Sequence, residues 1–148
     1  MIKRILILFA IAQLSMMGYS QTPKWAEKAK KAVFSVVTYD ANDKILNTGN
    51  GFFISEKGVA ISDYALFKNA QRAVIITSEG EKMPVKAILG ANDMYDVVKF
   101  SVDITSKKVA NLTLSETPMT EGTKLWLLPY STQKVRSLTS GNVNSVDK

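Results

Sequence analysis

The chain of 148 residues contains no cysteine and no histidine. Without cysteine there is no disulfide, no thiolate nucleophile and no zinc–thiolate site. Without histidine the chain lacks the commonest general base and the commonest transition-metal ligand. No metal and no cofactor is therefore expected. The loop Asp40-Ala41-Asn42-Asp43 has some of the look of a calcium loop, but Lys44 stands fifth and no glycine stands sixth. An excess of charge of one sign is also small. The formal net charge is +6, and it falls to +4 if Lys3 and Arg4 leave with the first twenty residues. The basic residues are spread along the chain, whereas a nucleic-acid binder concentrates them, so no nucleic-acid partner is expected. Internal repeats and low-complexity segments are absent.

A long hydrophobic run is missing too. The apolar stretch Ile5–Leu14 is too short to cross a bilayer, which takes ~20 residues. It follows the basic pair Lys3 and Arg4 and precedes Gly18, Tyr19 and Ser20. A basic start, a short apolar core and a small residue before the cut describe a secretory signal peptide over residues 1–20. Cleavage is expected after Ser20, with Gln21 as the new N-terminus; a small residue followed by glutamine resembles such sites in exported proteins of some Gram-negative bacteria. The expected location is the periplasm or the extracellular space, with no stable membrane anchor once the signal is removed. With no cysteine after the apolar core, a lipoprotein anchor is excluded.

Residues 21–32 are expected to form a short helix, with Thr22 as N-cap and Pro23 at the first helical position. Lys24, Lys28 and Lys31 share one face, Glu27 is placed to pair with Lys31, and Trp25 and Ala29 face the body. The lysines read as a solvated face.

From Val33 the texture becomes β-branched and aromatic. Strands are expected at Val33–Tyr39, Gly51–Ile54, Val59–Ser62, Ala73–Thr77, Met83–Leu89 and Val97–Val102. Turns are expected at Asp40–Asp43, Ser55–Gly58 and Ser78–Glu81. Pro84 suggests that its strand starts on a sheet edge. Further strands are expected at Leu125–Tyr130 and Val135–Thr139, with another beginning at Ser140-Gly141-Asn142-Val143. Trp126 and Tyr130 are expected in a core. Short strands at this spacing, with little helix between them, indicate an all-β fold, an antiparallel barrel or sandwich. The hydrophobic hairpin near Lys148 lacks neighbours to cover it, so the chain reads as the front part of a longer protein.

Four features, in order over residues 33–143, resemble the trypsin-like serine proteases, particularly their HtrA-like bacterial branch. Gly49-Asn50-Gly51-Phe52-Phe53-Ile54 resembles the family's glycine–serine–glycine strand. Glu56-Lys57-Gly58-Val59-Ala60-Ile61-Ser62 is similar to the turn and strand that lead to the histidine corner. Ala91-Asn92-Asp93-Met94-Tyr95-Asp96-Val97-Val98 resembles the loop and strand carrying the triad aspartate. Ser140-Gly141-Asn142-Val143 is similar to a strand early in the family's second barrel.

The resemblance implies an antiparallel β-barrel of trypsin-like protease type. A first barrel would span residues 33–117, and residues 118–148 would begin an incomplete second one. It places Ala65 at the position of the catalytic histidine and Asp96 at that of the aspartate. The serine position is not covered by the sequence. In the family mechanism the histidine takes the serine proton and returns it to the leaving amine. Alanine does neither, and Tyr64 beside it offers only a phenol, a poor base at neutral pH. The expected function is that of a pseudoprotease whose cleft binds peptide or protein partners as added strands. Two rival readings stay open. One is a hydrolase whose rearranged site is completed beyond Lys148. The other is a structural envelope module.

Overall fold

The computed structural model describes residues 24–128 and 138–146. The expected signal segment with its cut between Ser20 and Gln21, the cap residues Thr22 and Pro23, and Tyr130 lie outside the described residues. Six strands form a closed antiparallel barrel: β1 (Val33–Tyr39), β2 (Ile45–Phe53), β3 (Val59–Ser62), β4 (Arg72–Thr77), β5 (Lys82–Asn92) and β6 (Val97–Val102). Around the barrel the order is β1-β2-β3-β6-β5-β4. One helix, α1 (Lys24–Ala32), precedes it, and a two-stranded ribbon of β7 (Lys124–Leu127) and β8 (Thr139–Asn142) follows it. The fold is thus all-β with a short N-terminal helix.

The barrel closes around an apolar interior of Phe34, Val36, Phe53, Ala60, Ile75, Met83, Val98, Phe100 and Val102. Alternation supplies these residues: Phe34 and Val36 on β1, Val98, Phe100 and Val102 on β6. Phe34 lies between two other rings, 4.7 Å from Phe53 and 6.3 Å from Phe100, centroid to centroid. Tilted and edge contacts of this kind add to simple area burial. Helix α1 buries Ala26, Ala29 and Ala32 at three-residue spacing and contacts β1. Small residues there let the helix backbone come close. Its lysines 24, 28 and 31 are exposed, as the sequence suggested. Glu27, however, pairs with Lys30 at 2.8 Å and not with Lys31. Three residues apart on a helix is as near as four.

Strands β1, β3 and β6 have the expected bounds, and the other barrel strands are longer. β2 begins at Ile45, because β1 pairs with it along its whole length, from Val33↔Phe52 to Tyr39↔Ile45. The polar run Asn47-Thr48-Gly49-Asn50 has no strand-like composition of its own and is held by that partner. The turn before it is built by Asp40, whose Oδ1 accepts from the backbone N–H of Asn42 at 2.8 Å and of Lys44 at 2.9 Å. β5 continues to Asn92 on the strength of β6, which it pairs from Val85↔Val102 to Asn92↔Val97 with two irregularities in register. Pro84 does not stand on an open edge, since the barrel is closed. It is instead the last β5 residue paired with β4, opposite Val74. Lacking an N–H, it marks where that ladder ends.

Of the last two expected strands, the described residues include Leu138 and Thr139 of the first and Ser140 to Val143 of the second, while residues 135–137 lie outside them. β8 runs across them from Thr139 to Asn142 and pairs antiparallel with β7, Leu127↔Thr139 to Lys124↔Asn142. Trp126 is not in a core: 42% of it is exposed. A two-stranded ribbon has one layer and cannot enclose its own apolar side chains.

Candidate functional site

The corner after β3 is the place the sequence singled out. β3 ends at Ser62, a buried residue whose hydroxyl donates to the carbonyl of Asn50 at 2.6 Å. A single 3-10 turn, Tyr64–Leu66, comes next. Tyr64, Leu66 and Phe67 are partly buried against the barrel core, while Ala65 is exposed. Phe67 stacks at 5.0 Å on Phe100, which anchors the turn to the interior. The fully buried Thr38 ties the far end, its hydroxyl donating to the carbonyl of Leu66 at 2.9 Å.

The start of that turn is held by Asp96. Its carbonyl accepts from the N–H of Tyr64 at 3.2 Å, and its Oδ1 accepts from the N–H of Ala65 at 2.6 Å. Asp96 sits at the end of the β5–β6 connection with φ of 49°, a left-handed conformation that aspartate tolerates better than most residues. The connection is shaped by Asn92, whose Oδ1 accepts from the N–H of Tyr95 at 3.1 Å. The structure therefore brings Ala65 and Asp96 into direct hydrogen-bond contact. The carboxylate meets a backbone donor where the resemblance would place an imidazole.

Asp63 is the N-cap residue of the turn, yet its side chain makes no capping bond. Aspartate at such a position usually accepts from the first N–H groups. Here those donors are already taken: Tyr64 and Ala65 by Asp96, and Leu66 by the Asp63 carbonyl at 3.3 Å. The Asp63 carboxylate is left exposed to its surroundings.

Beside this corner lies an apolar cavity of about 520 Å³. Its walls include Trp25 from α1, Phe52 from β2, Ile61 from β3, Val97 from β6, Leu112 and Trp126. Its polar lining is Asn50, Ser62 and Asp63. Trp25 and Trp126 meet edge to face, 5.9 Å apart, and join the helix to the ribbon. Lys124 Nζ stands 4.7 Å from the ring centre of Trp126. The volume is that of a small-ligand site, and such sites are commonly apolar with a few polar groups.

Sequence reasoning found Ala65 and Asp96 but not Asp63, Trp25, Leu112 or Trp126 as neighbours. The available signal was that the chain has only two tryptophans, both within reach of strand or helix faces. Among the described residues no group of three or more histidine, cysteine, aspartate or glutamate side chains converges as a metal site would require. Among the same residues no helix is long and apolar enough to cross a membrane. The chain matches no protein-family model and has no significant match among curated proteins.

Proposed function

We propose that this barrel is a trypsin-like protease fold without its catalytic histidine, exported and used to bind an extended peptide or protein segment. The observation that carries this reading is the bond from Ala65 N–H to Asp96 Oδ1. It links the two positions that the family resemblance pairs as histidine and aspartate. The closed six-stranded antiparallel barrel agrees with that resemblance. A methyl group at position 65 accepts no proton, so the acid–base relay of the triad has no carrier there. Binding needs no such carrier. On this reading residues 33–117 make the first barrel, and the ribbon within residues 118–148 opens a second. The partial exposure of Leu125 and Trp126 on β7 is in keeping with that reading.

The test is labelling of the purified protein with a fluorophosphonate probe, which reacts with activated serines, alongside hydrolysis of a fluorescent casein. A folded, β-rich protein that shows no native-specific labelling and no hydrolysis is the expected result. Labelling that vanishes on denaturation would mean a working nucleophile and would overturn the proposal.

A further inference from the structure

We infer that the apolar cavity beside the Ala65–Asp96 corner takes a peptide segment in which a lysine or arginine is flanked by apolar residues, with the cation against Asp63. This deepens the peptide-binding reading and rests on it. Three features of the cavity lead to it. The first is its lining, which is dominated by Trp25, Phe52, Ile61, Val97 and Trp126 and suits apolar side chains. The second is that, among the described residues lining it, Asp63 alone is ionisable. The third is that the Asp63 carboxylate has no hydrogen bond and no ion pair among the described residues, although it stands at a cap position.

The physical reason for that last feature lies in Asp96. Asp96 takes the Tyr64 and Ala65 N–H groups, and the Asp63 carbonyl takes that of Leu66, so the first donors of the turn are engaged without the Asp63 carboxylate. A carboxylate beside an apolar wall attracts a cation more strongly than one in open water, because the wall lowers the local dielectric. The face of Trp126 is already attended by Lys124, so a ligand cation is not drawn there. An anion is disfavoured, since it would meet the Asp63 charge with no cation among the described lining residues to offset it. Complementarity therefore selects a positive charge among apolar groups.

The chain carries its own reporter. Its two tryptophans are Trp25 and Trp126, and both line this cavity. Intrinsic tryptophan emission thus reads occupancy of this site. The purified protein is titrated with the tryptophan-free peptide acetyl-Leu-Lys-Leu-Leu-amide, with its acetyl-lysine and glutamate counterparts, and with hexylamine. Expected is saturable binding of the lysine peptide about ten-fold tighter than that of the glutamate peptide, the effect of one partly desolvated charge pair. Asp63→Asn should shrink that preference to less than about three-fold while far-UV circular dichroism is unchanged. Raising the salt should narrow the preference in the parent protein.

No emission change with any peptide would overturn the cavity as the site. Equal binding of lysine and glutamate peptides, or a preference that survives Asp63→Asn, would overturn the charge assignment and leave the peptide-binding reading standing. Hexylamine binding as tightly as the lysine peptide would overturn the peptide as ligand. Fluorophosphonate labelling would instead overturn the pseudoprotease reading, so the two failures are distinct.

Discussion

Ala65 donates its backbone N–H to the carboxylate of Asp96 across 2.6 Å, joining the turn after β3 to the connection before β6. The same aspartate takes the Tyr64 N–H on its carbonyl. Two orphan donors of one turn are thereby satisfied by one residue. The bond makes Asp96 a structural cap.

Asp96→Ala should cost about 1 kcal/mol, the usual loss for removing a side-chain cap. Asp96→Asn keeps an acceptor oxygen and tolerates the left-handed backbone, so it should cost less than the alanine variant. Urea unfolding midpoints at unchanged slope check the ranking. An alanine variant as stable as its parent would show that the bond contributes nothing.

Gly51 and Gly49 differ in what surrounds them. A Cβ on Gly51 would lie 2.6 Å from the ring of Phe34 and 2.9 Å from the carbonyl of Ile61. The carbonyl belongs to the β3 backbone and the ring is packed in the core, so neither gives way easily. The atoms nearest a Cβ on Gly49 all belong to the Leu66 side chain, with no backbone among them. Gly51→Ala should therefore destabilise by about 1–3 kcal/mol, as overpacking does, and Gly49→Ala by clearly less. Thermal melts of the two variants side by side decide it.

Phe100 is fully buried and contacts both Phe34 and Phe67. Phe100→Ala should destabilise by about 3–5 kcal/mol through lost burial and the void left behind. Because Phe67 follows the 3-10 turn, amide exchange at Tyr64, Ala65 and Leu66 should accelerate in this variant more than exchange in the β1–β2 ladder. Uniform acceleration would mean that the turn is not anchored through this ring.

Lys107 is held above the ordinary lysine value, chiefly by its hydrogen bond to Glu81 at 2.9 Å. A cation whose folded value is raised contributes stability that is fully present below its unfolded value. That contribution is lost as the pH climbs through the raised one. Lys107→Met should therefore differ from the parent at neutral pH, and the difference should fade only in strongly alkaline solution. The pair is exposed, so added salt should shrink the difference too. Denaturation midpoints from pH 7 upward, with and without salt, test both statements.

Much of the barrel was legible in the sequence because its strands announce themselves. Val33–Tyr39, Val59–Ser62 and Val97–Val102 are rich in β-branched and aromatic residues, and the structure has strands with those bounds. Asn47 to Asn50 and Gly90 to Asn92 give no such signal. They are strand because a neighbour offers a ladder, and pairing partners are far away in sequence. Trp126 was misplaced for a related reason. An apolar strand implies a core only when a second layer exists to cover it, and composition does not reveal the layer.

The sequence by itself determined the absence of thiol and imidazole chemistry, the all-β class and the pairing of Ala65 with Asp96 as the positions of interest. The first two follow from residue identity and strand texture along the chain, and the third from the family resemblance. Only the tertiary structure decided that Asp96 caps the turn and that the Asp63 carboxylate has no partner among the described residues. It alone placed the two tryptophans around one cavity. Hydrogen bonds compete for donors in space, and which acceptor wins depends on a closed barrel that brings residues from distant strands to the same corner.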